Sequence, residues 1–338
     1  MIGQRQVVEA LLKPETYEED PGGIDLVQTH ISFVFLTRKF VYKVKKAVYF
    51  GFLDFTSLEK RRYFCEKELE LNRRLCGDMY LEVVPINKSE TIKMKGEGEP
   101  VEYAVKMKRM PQEKMMIRLL EQNKVSKNII EEIAKILAEF HSQAEIDSSA
   151  KKYEIDPIVE INWEENFEQT VEFIGITISK ETHEFIAQRV NAFIEQNMPV
   201  FRKRMAEGKV RNCHGDVHSG NIFIADRIYI FDAIEFSDRM SHSDVAGDVG
   251  FLAMDLDFMK KPDLSRVFVE SYVRYSGDRE LGGLLQFYKC YRAYVRGKVV
   301  SFRLNDPDIN SKDKNAAKME AEEYFKLSSE YASKLQTK

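Results

Sequence analysis

The stretch from His214 to Phe236, HGDVHSGNIFIADRIYIFDAIEF, concentrates the groups that could do chemistry. Asp216 is followed five residues later by the amide of Asn221, and Asp232 closes the apolar run RIYIFD. A carboxylate can orient a hydroxyl and take its proton, while carboxylate and amide oxygens suit a hard divalent cation. An isolated Asp in a loop more often caps a turn. Three such groups in one short stretch, with an apolar strand before the last, argue for a site.

The same stretch resembles the HGDxHxxN catalytic loop and the following metal-binding Asp of the aminoglycoside and choline phosphotransferase-like enzymes, which share the protein-kinase fold. Its Asp–Asn interval is that of the protein-kinase catalytic loop. The wording of THISFVFL, VYKVKKAVYFGFLDF and GFLAMDLD is similar to a bacterial branch of that family with no assigned substrate. The resemblance spans about Leu26 to Phe302 and implies ATP and Mg2+ as ligands. It also implies Asp216 as the catalytic base, Asn221 and Asp232 as metal ligands, and a small-molecule hydroxyl as acceptor. His214 is expected to be a hydrogen-bonding strut, because the neighbouring carboxylate fills the chemical role. His218 is left open between solvent and the phosphates. Gly215 stands where protein kinases carry the Arg that receives an activation-loop phosphate, so regulation of that type is not expected.

The resemblance further implies a strand Lys for the α- and β-phosphates and a helix Glu to fix it. VYKVKK offers Lys43 and Lys45, two residues apart and therefore on one face of a strand. Alignment with the family favours Lys43 and places the other on the cleft rim. Of Glu66, Glu68 and Glu70 in the helix EKRRYFCEKELELNRRL, Glu68 matches the family position, the others reading as solvated charges. The first hairpin, VQTHISFVFLT, lacks the Gly-rich phosphate motif, leaving Thr29, His30 and Ser32 as weak substitutes. Asp248 reads as a helix cap or a brace for the catalytic loop. Late in the chain, Lys289, Arg292, Arg296 and Arg303 fall on one helical face. That stripe is either a solvated surface or, through Arg292 and Arg296, a pocket for an anionic acceptor.

These residues need elements to hold them. ISFVFL and FVYKV read as a hairpin broken at Thr37–Lys39, and Leu58 to Leu75 as a helix capped by Ser57. YLEVVPI, TIKMK and VEYAVKM read as further strands. From Pro111 the periodicity turns helical, with Ile129, Ile130, Ile133, Ile136, Leu137 and Phe140 building one apolar face. Residues 156–206 are also mostly helical, 210–236 return to short strands and turns, and the remainder is helical with a polar tail from Asn310 expected to fray.

The predicted fold is therefore α+β, a two-lobed protein-kinase-like architecture. It has a small antiparallel-sheet N-lobe at 1–107 and a larger helical C-lobe at 108–338 carrying the catalytic loop, metal and acceptor site. A chain of 338 residues with 43% hydrophobic and 31% charged residues suits two globular bodies. The net charge of −4 lacks the basic excess of a dedicated nucleic-acid binder. Cys65, Cys76, Cys213 and Cys290 form no CxxC pair and no zinc-ligand spacing. Glu9, Glu18, Glu19 and Asp20 occupy the region where a secretory signal needs an apolar core, so the expectation is a cytoplasmic protein with no membrane segment. The expected function is ATP- and Mg-dependent phosphotransfer to a small molecule. The alternatives are nucleotidyl transfer or protein modification on the same fold, or a non-catalytic nucleotide-binding module.

Overall fold

The structure, a computed structural model, describes residues 3–51, 53–146, 155–307 and 309–336. In chain order the elements are α1 (Gln4–Leu11), β1 (Asp25–Gln28), β2 (Ser32–Leu36), β3 (Phe40–Lys45), α2 (Leu58–Cys76), β4 (Tyr80–Lys88), β5 (Ile92–Met94) and β6 (Glu99–Lys108). There follow α3 (Met116–Glu121), α4 (Lys127–Gln143), α5 (Ile155–Thr170), α6 (Lys180–Ala206), β7 (Val210–Asn212), β8 (Ile222–Ile224), β9 (Ile228–Ile230) and α7 (Asp238–Ser241). The last are β10 (His242–Asp244), α8 (Ala246–Phe258), α9 (Pro262–Ser276), α10 (Leu281–Phe302) and α11 (Ser311–Ser333). They pack as two units, Met1–Leu119 with Gly220–Ser241, and Leu120–Ser219 with His242–Lys338.

In the first unit, six strands form an antiparallel sheet in the order β1-β2-β3-β6-β4-β5. The β2–β3 turn falls where the sequence breaks: the Thr37 hydroxyl accepts from Phe40 N at 3.2 Å. The alternation of FVYKVK then sorts its side chains. Tyr42 and Val44 join Phe35, Val84, Ile86 and Ala104 in a core covered by Val7 and Leu11 of α1, so Lys43 and Lys45 emerge on the opposite face. Helix α2 lies there, started by Ser57, whose hydroxyl accepts from Lys60 N at 3.2 Å. The β8–β9 hairpin also belongs to this unit, because Phe223 and Tyr229 share an apolar cluster with Cys65, Cys76, Tyr80, Val105 and Met107. Residues 220–241, grouped by sequence with a lobe at 108–338, thus pack with the sheet.

The second unit is helical around α8, whose residues Ala246 to Leu256 are all buried. Gly250 lets α8 approach α10, since a Cβ there would lie 2.7 Å from the Tyr288 Cβ. Trp163, Phe193, Phe287 and Tyr294 form the centre of a core completed by Tyr324, Phe325 and Tyr331 of α11. The tail expected to fray is therefore an ordered helix. The Asn310 side chain caps it by accepting from Asp313 N at 3.0 Å, and its buried residues recur at helical spacing. No helix among the described residues is long and apolar enough to cross a membrane.

Candidate active site

In the helical unit, the loop holding Asp216 is fastened by two carboxylates of α8, seven residues and two turns apart. Asp248 accepts from His214 N and Gly215 N, each at 2.9 Å, and Asp255 accepts from Ser219 N at 2.8 Å. Gly215 has φ of 85°, a left-handed conformation that a side chain would strain, so the turn itself accounts for glycine here. Asp248 is thus the loop brace among the two roles expected of it. It is completely buried and also bonded by His141 Nε2 at 3.2 Å, with Tyr272 on the other imidazole nitrogen at 2.8 Å. Burial alone would raise the Asp248 carboxyl; the hydrogen bond and charge of His141, then His214 and Arg292, hold it at about 2. His141, Cys213 and Asp248 cluster closely enough to hold a metal. Both Asp248 oxygens, however, are already committed to N–H donors, and the Cys213 thiol donates to Ser243 O at 3.3 Å, which makes this a structural knot.

His214 is the expected strut: its Nδ1 accepts from Asp216 N at 3.2 Å. His218 faces the carboxylate, with Nε2 3.6 Å from Asp216 Oδ2 and its ring 5.4 Å from that of Phe251. Asp216 keeps a third of its side chain accessible. Burial pushes its carboxyl up, but His218, Arg296 and His214 together hold it well below the usual carboxylate range. The group is therefore an anion near neutral pH, able to accept from a hydroxyl.

In the sheet-rich unit, a second group forms around α2. Lys43 Nζ donates to Glu68 Oε1 at 2.9 Å and to Asp232 Oδ1 at 2.6 Å; Lys45 Nζ donates to Glu68 Oε2 at 2.7 Å and to Glu235. Glu68 is fully buried, yet the two ammonium groups overcome burial and hold it at about 2. Glu66 instead pairs on the surface with Arg62. The lysines differ: 12% of the Lys43 side chain is exposed and none of the Lys45 side chain. Lys45 therefore does not sit on a cleft rim, since Glu68 and Glu235 draw its charge inward. The Thr29 hydroxyl is occupied, accepting from Ser32 N at 2.9 Å to shape the β1–β2 turn, while the Ser32 hydroxyl is buried without a hydrogen-bond partner.

The eleven-residue interval from Asn221 to Asp232 is the length of the β8–β9 hairpin. Ile222 pairs with Ile230 and Phe231 N donates to Asn221 O at 3.0 Å, so Asn221 and Asp232 flank the same hairpin end. Asp232 takes φ of 65°, uncommon outside glycine, and is followed by a backbone hold, with Ala233 N donating to Asn72 Oδ1 at 2.9 Å. Its side chain is 41% exposed. An accessible carboxylate with an amide at the same hairpin end is an oxygen donor set of the kind magnesium takes.

Residues 82–284 match the model of the phosphotransferase enzyme family. The chain belongs to that family. Over 287 residues it is 30% identical to an uncharacterized protein of Mycobacterium tuberculosis strain H37Rv, covering 85% of this chain and 56% of that protein. An uncharacterized protein of Mycobacterium bovis matches with the same identity and coverage. The chain thus spans about half the length of the curated relatives it matches. A choline/ethanolamine kinase family protein from Mesorhizobium loti superposes with a TM-score of 0.52 at 10% identity, over 97% of this chain and 99% of that one. An aminoglycoside phosphotransferase from Alicyclobacillus acidocaldarius gives 0.48 at 10% identity, over 99% and 95%. The Mesorhizobium likeness shows the α+β protein-kinase-like fold.

The basic stripe of α10 divides. Lys289 is buried on Asp257, which also accepts from the Tyr331 hydroxyl at 2.6 Å. Arg292 is buried over the Phe251 ring at 4.8 Å and donates to Gly247 O at 3.3 Å. Arg303 meets Glu320 on the surface at 3.9 Å. Arg296 lies one turn beyond Arg292, its guanidinium 5.6 Å from the Tyr324 ring, which stacks on Phe258 of α8 at 3.7 Å. Sequence reasoning missed Asn72, His141 and the role of Asp255. Two were within reach: Asn72 follows Glu68 by one helical turn, and Asp255 follows Asp248 by two.

Proposed function

We propose that the chain transfers the γ-phosphate of ATP, with magnesium bound, to a hydroxyl of a small molecule, and that Asp216 orients and deprotonates that hydroxyl. The observation that carries this reading is the Lys43 ammonium lodged between buried Glu68 and accessible Asp232. Glu68 fixes the lysine, so that its charge meets phosphate oxygens without the entropy of a free stem. Asn221 and Asp232 would hold magnesium, which when bound neutralises charge on the phosphate oxygens. Asp216, anionic and held by the double fastening of its loop to α8, accepts the hydroxyl hydrogen bond and then its proton as the oxygen attacks. A carboxylate held so low is a weak base before attack begins, so its main contribution is orientation.

The acceptor is proposed to be anionic. In the helical unit Arg204 has Asp244 and Asp278 and Lys289 has Asp257, whereas Arg296, half-buried, has no carboxylate at ion-pair distance among the described residues: the Tyr324 hydroxyl is beside it, and Asp216 and Asp255 act on it from further off. Its charge acts on Asp216, and a guanidinium in that setting suits a carboxylate or phosphate on the acceptor. The test is a metabolite screen following ATP consumption, with product masses read directly. Gain of a phosphate supports the reading, and gain of a nucleoside monophosphate moves the protein to nucleotidyl transfer. Asp216→Asn should keep nucleotide affinity and lose about two orders of magnitude in turnover, the low end for a general base. Turnover at the wild-type rate would remove Asp216 from the mechanism.

A further inference from the structure

The proposed chemistry needs one lysine beside Glu68, yet the fold buries two. Lys45 has no exposed side chain, and its ammonium is held by Glu68 at 2.7 Å and by Glu235, itself 3% exposed. An ammonium withdrawn this far from water is tolerated only because both carboxylates enclose it. It cannot reach a ligand without abandoning them, so phosphate binding is not its role.

The path of contacts shows another. Asp232 and Glu235 lie three residues apart on the segment leaving β9. Asp232 is held by Lys43, Lys43 by Glu68, Glu68 by Lys45, and Lys45 by Glu235. The contacts run from the segment through β3 and α2 and back to the segment, closing a ring. When phosphate oxygens compete for Lys43, Asp232 loses its ammonium partner, and three carboxylates then share a small volume. The inner rung does not change in that exchange, because Lys45 is out of reach of the ligand. Asp232 also stands in the left-handed region at φ of 65°, a conformation that persists only where its surroundings fix it. We propose that Lys45 is a positioning residue for the cation site: by clamping Glu235 against Glu68 it keeps Asp232 set for magnesium while Lys43 turns to the nucleotide. This rests on the reading of Asp232 as a magnesium ligand and Lys43 as the phosphate lysine.

The experiment compares ADP affinity by calorimetry in magnesium and in EDTA, using the full chain, and reads the ratio of the two. In the wild type magnesium tightens ADP, and in Asp232→Ala the ratio falls to near one. Lys45→Met leaves Glu68 and Glu235 facing each other with no cation between them, and should cut the ratio by about ten-fold or more while the EDTA affinity stays within about two-fold. Glu235→Gln, nearly the same shape, should lower the ratio less. The double variant Lys45→Met with Glu235→Gln removes the unpaired charge and should recover part of the loss, a coupling that a merely destabilised fold would not produce. If Lys45→Met fails to fold, the Glu235→Gln and double variants still decide. A wild-type ratio in those variants beside a lost ratio in Asp232→Ala overturns the clamp and leaves the functional reading standing. A wild-type affinity indifferent to magnesium overturns both.

Discussion

Replacing Asp248 by Asn tests the brace under the loop that holds Asp216 most sharply. The carboxylate has no exposed surface and accepts three donors, His214 N, Gly215 N and His141 Nε2, at 2.9, 2.9 and 3.2 Å. A folded value of about 2 against 3.8 corresponds to about 2 kcal/mol of stability. Because the folded value is depressed, that contribution is complete above about 3.8 and disappears as pH falls from there towards about 2. The Asn side chain also turns one acceptor into a donor, leaving one buried N–H facing an N–H at a cost of about 1–3 kcal/mol. These two figures describe overlapping interactions, so the expected loss is roughly 3 kcal/mol, which lowers Tm by about 6–12 °C for a unit of this size. Trp163 is the only tryptophan and lies in the core of the same unit, so its fluorescence follows that unit's unfolding. At pH 7 the variant should melt well below the wild type, and the gap should close between about pH 3.8 and 2. A gap under about 2 °C at pH 7, or one unchanged in acid, would refute the brace.

Asp232→Ala should abolish magnesium-dependent ATP binding and Asn221→Ala should weaken it less, checked by calorimetric titration with and without magnesium. With an acceptor in hand, Arg296→Ala should raise its KM about ten-fold without changing ATP affinity, as expected for one charge-assisted contact. Arg292→Ala should instead lower Tm, because that guanidinium is buried over Phe251 and bonded to Gly247 O. A cationic acceptor, or unchanged kinetics for Arg296→Ala, would return Arg296 to a structural role.

Much of the fold was legible because its signals are local. The alternation in FVYKVK, the Ser57 cap and the three- and four-residue spacing of the α4 isoleucines each depend on residues within one or two turns of each other. The polar tail from Asn310 misled, since its apolar residues are sparse and α11 is stabilised by what it meets: Tyr324, Phe325 and Tyr331 are buried in one core with residues as distant in sequence as Trp163 and Phe287. The basic stripe of α10 was real as a spacing, but spacing carries no information about partners. Lys289, Arg292 and Arg296 share a face and met an aspartate, an aromatic ring with a carbonyl, and a tyrosine.

The proposed site residues Asp216, Asn221 and Asp232 could be picked out from the sequence because they lie in one short stretch, and the interval from Asn221 to Asp232 is the length of a single hairpin. The sequence by itself also determined that Lys43 and Lys45 leave the same face of β3, since side chains alternate along a strand. What it could not decide is what waits opposite them. Glu235 lies 190 residues from Lys45 along the chain and Asp232 189 from Lys43. Only the packing of the β8–β9 hairpin against the sheet and α2 assigns one lysine to the accessible carboxylate and seals the other behind a buried one.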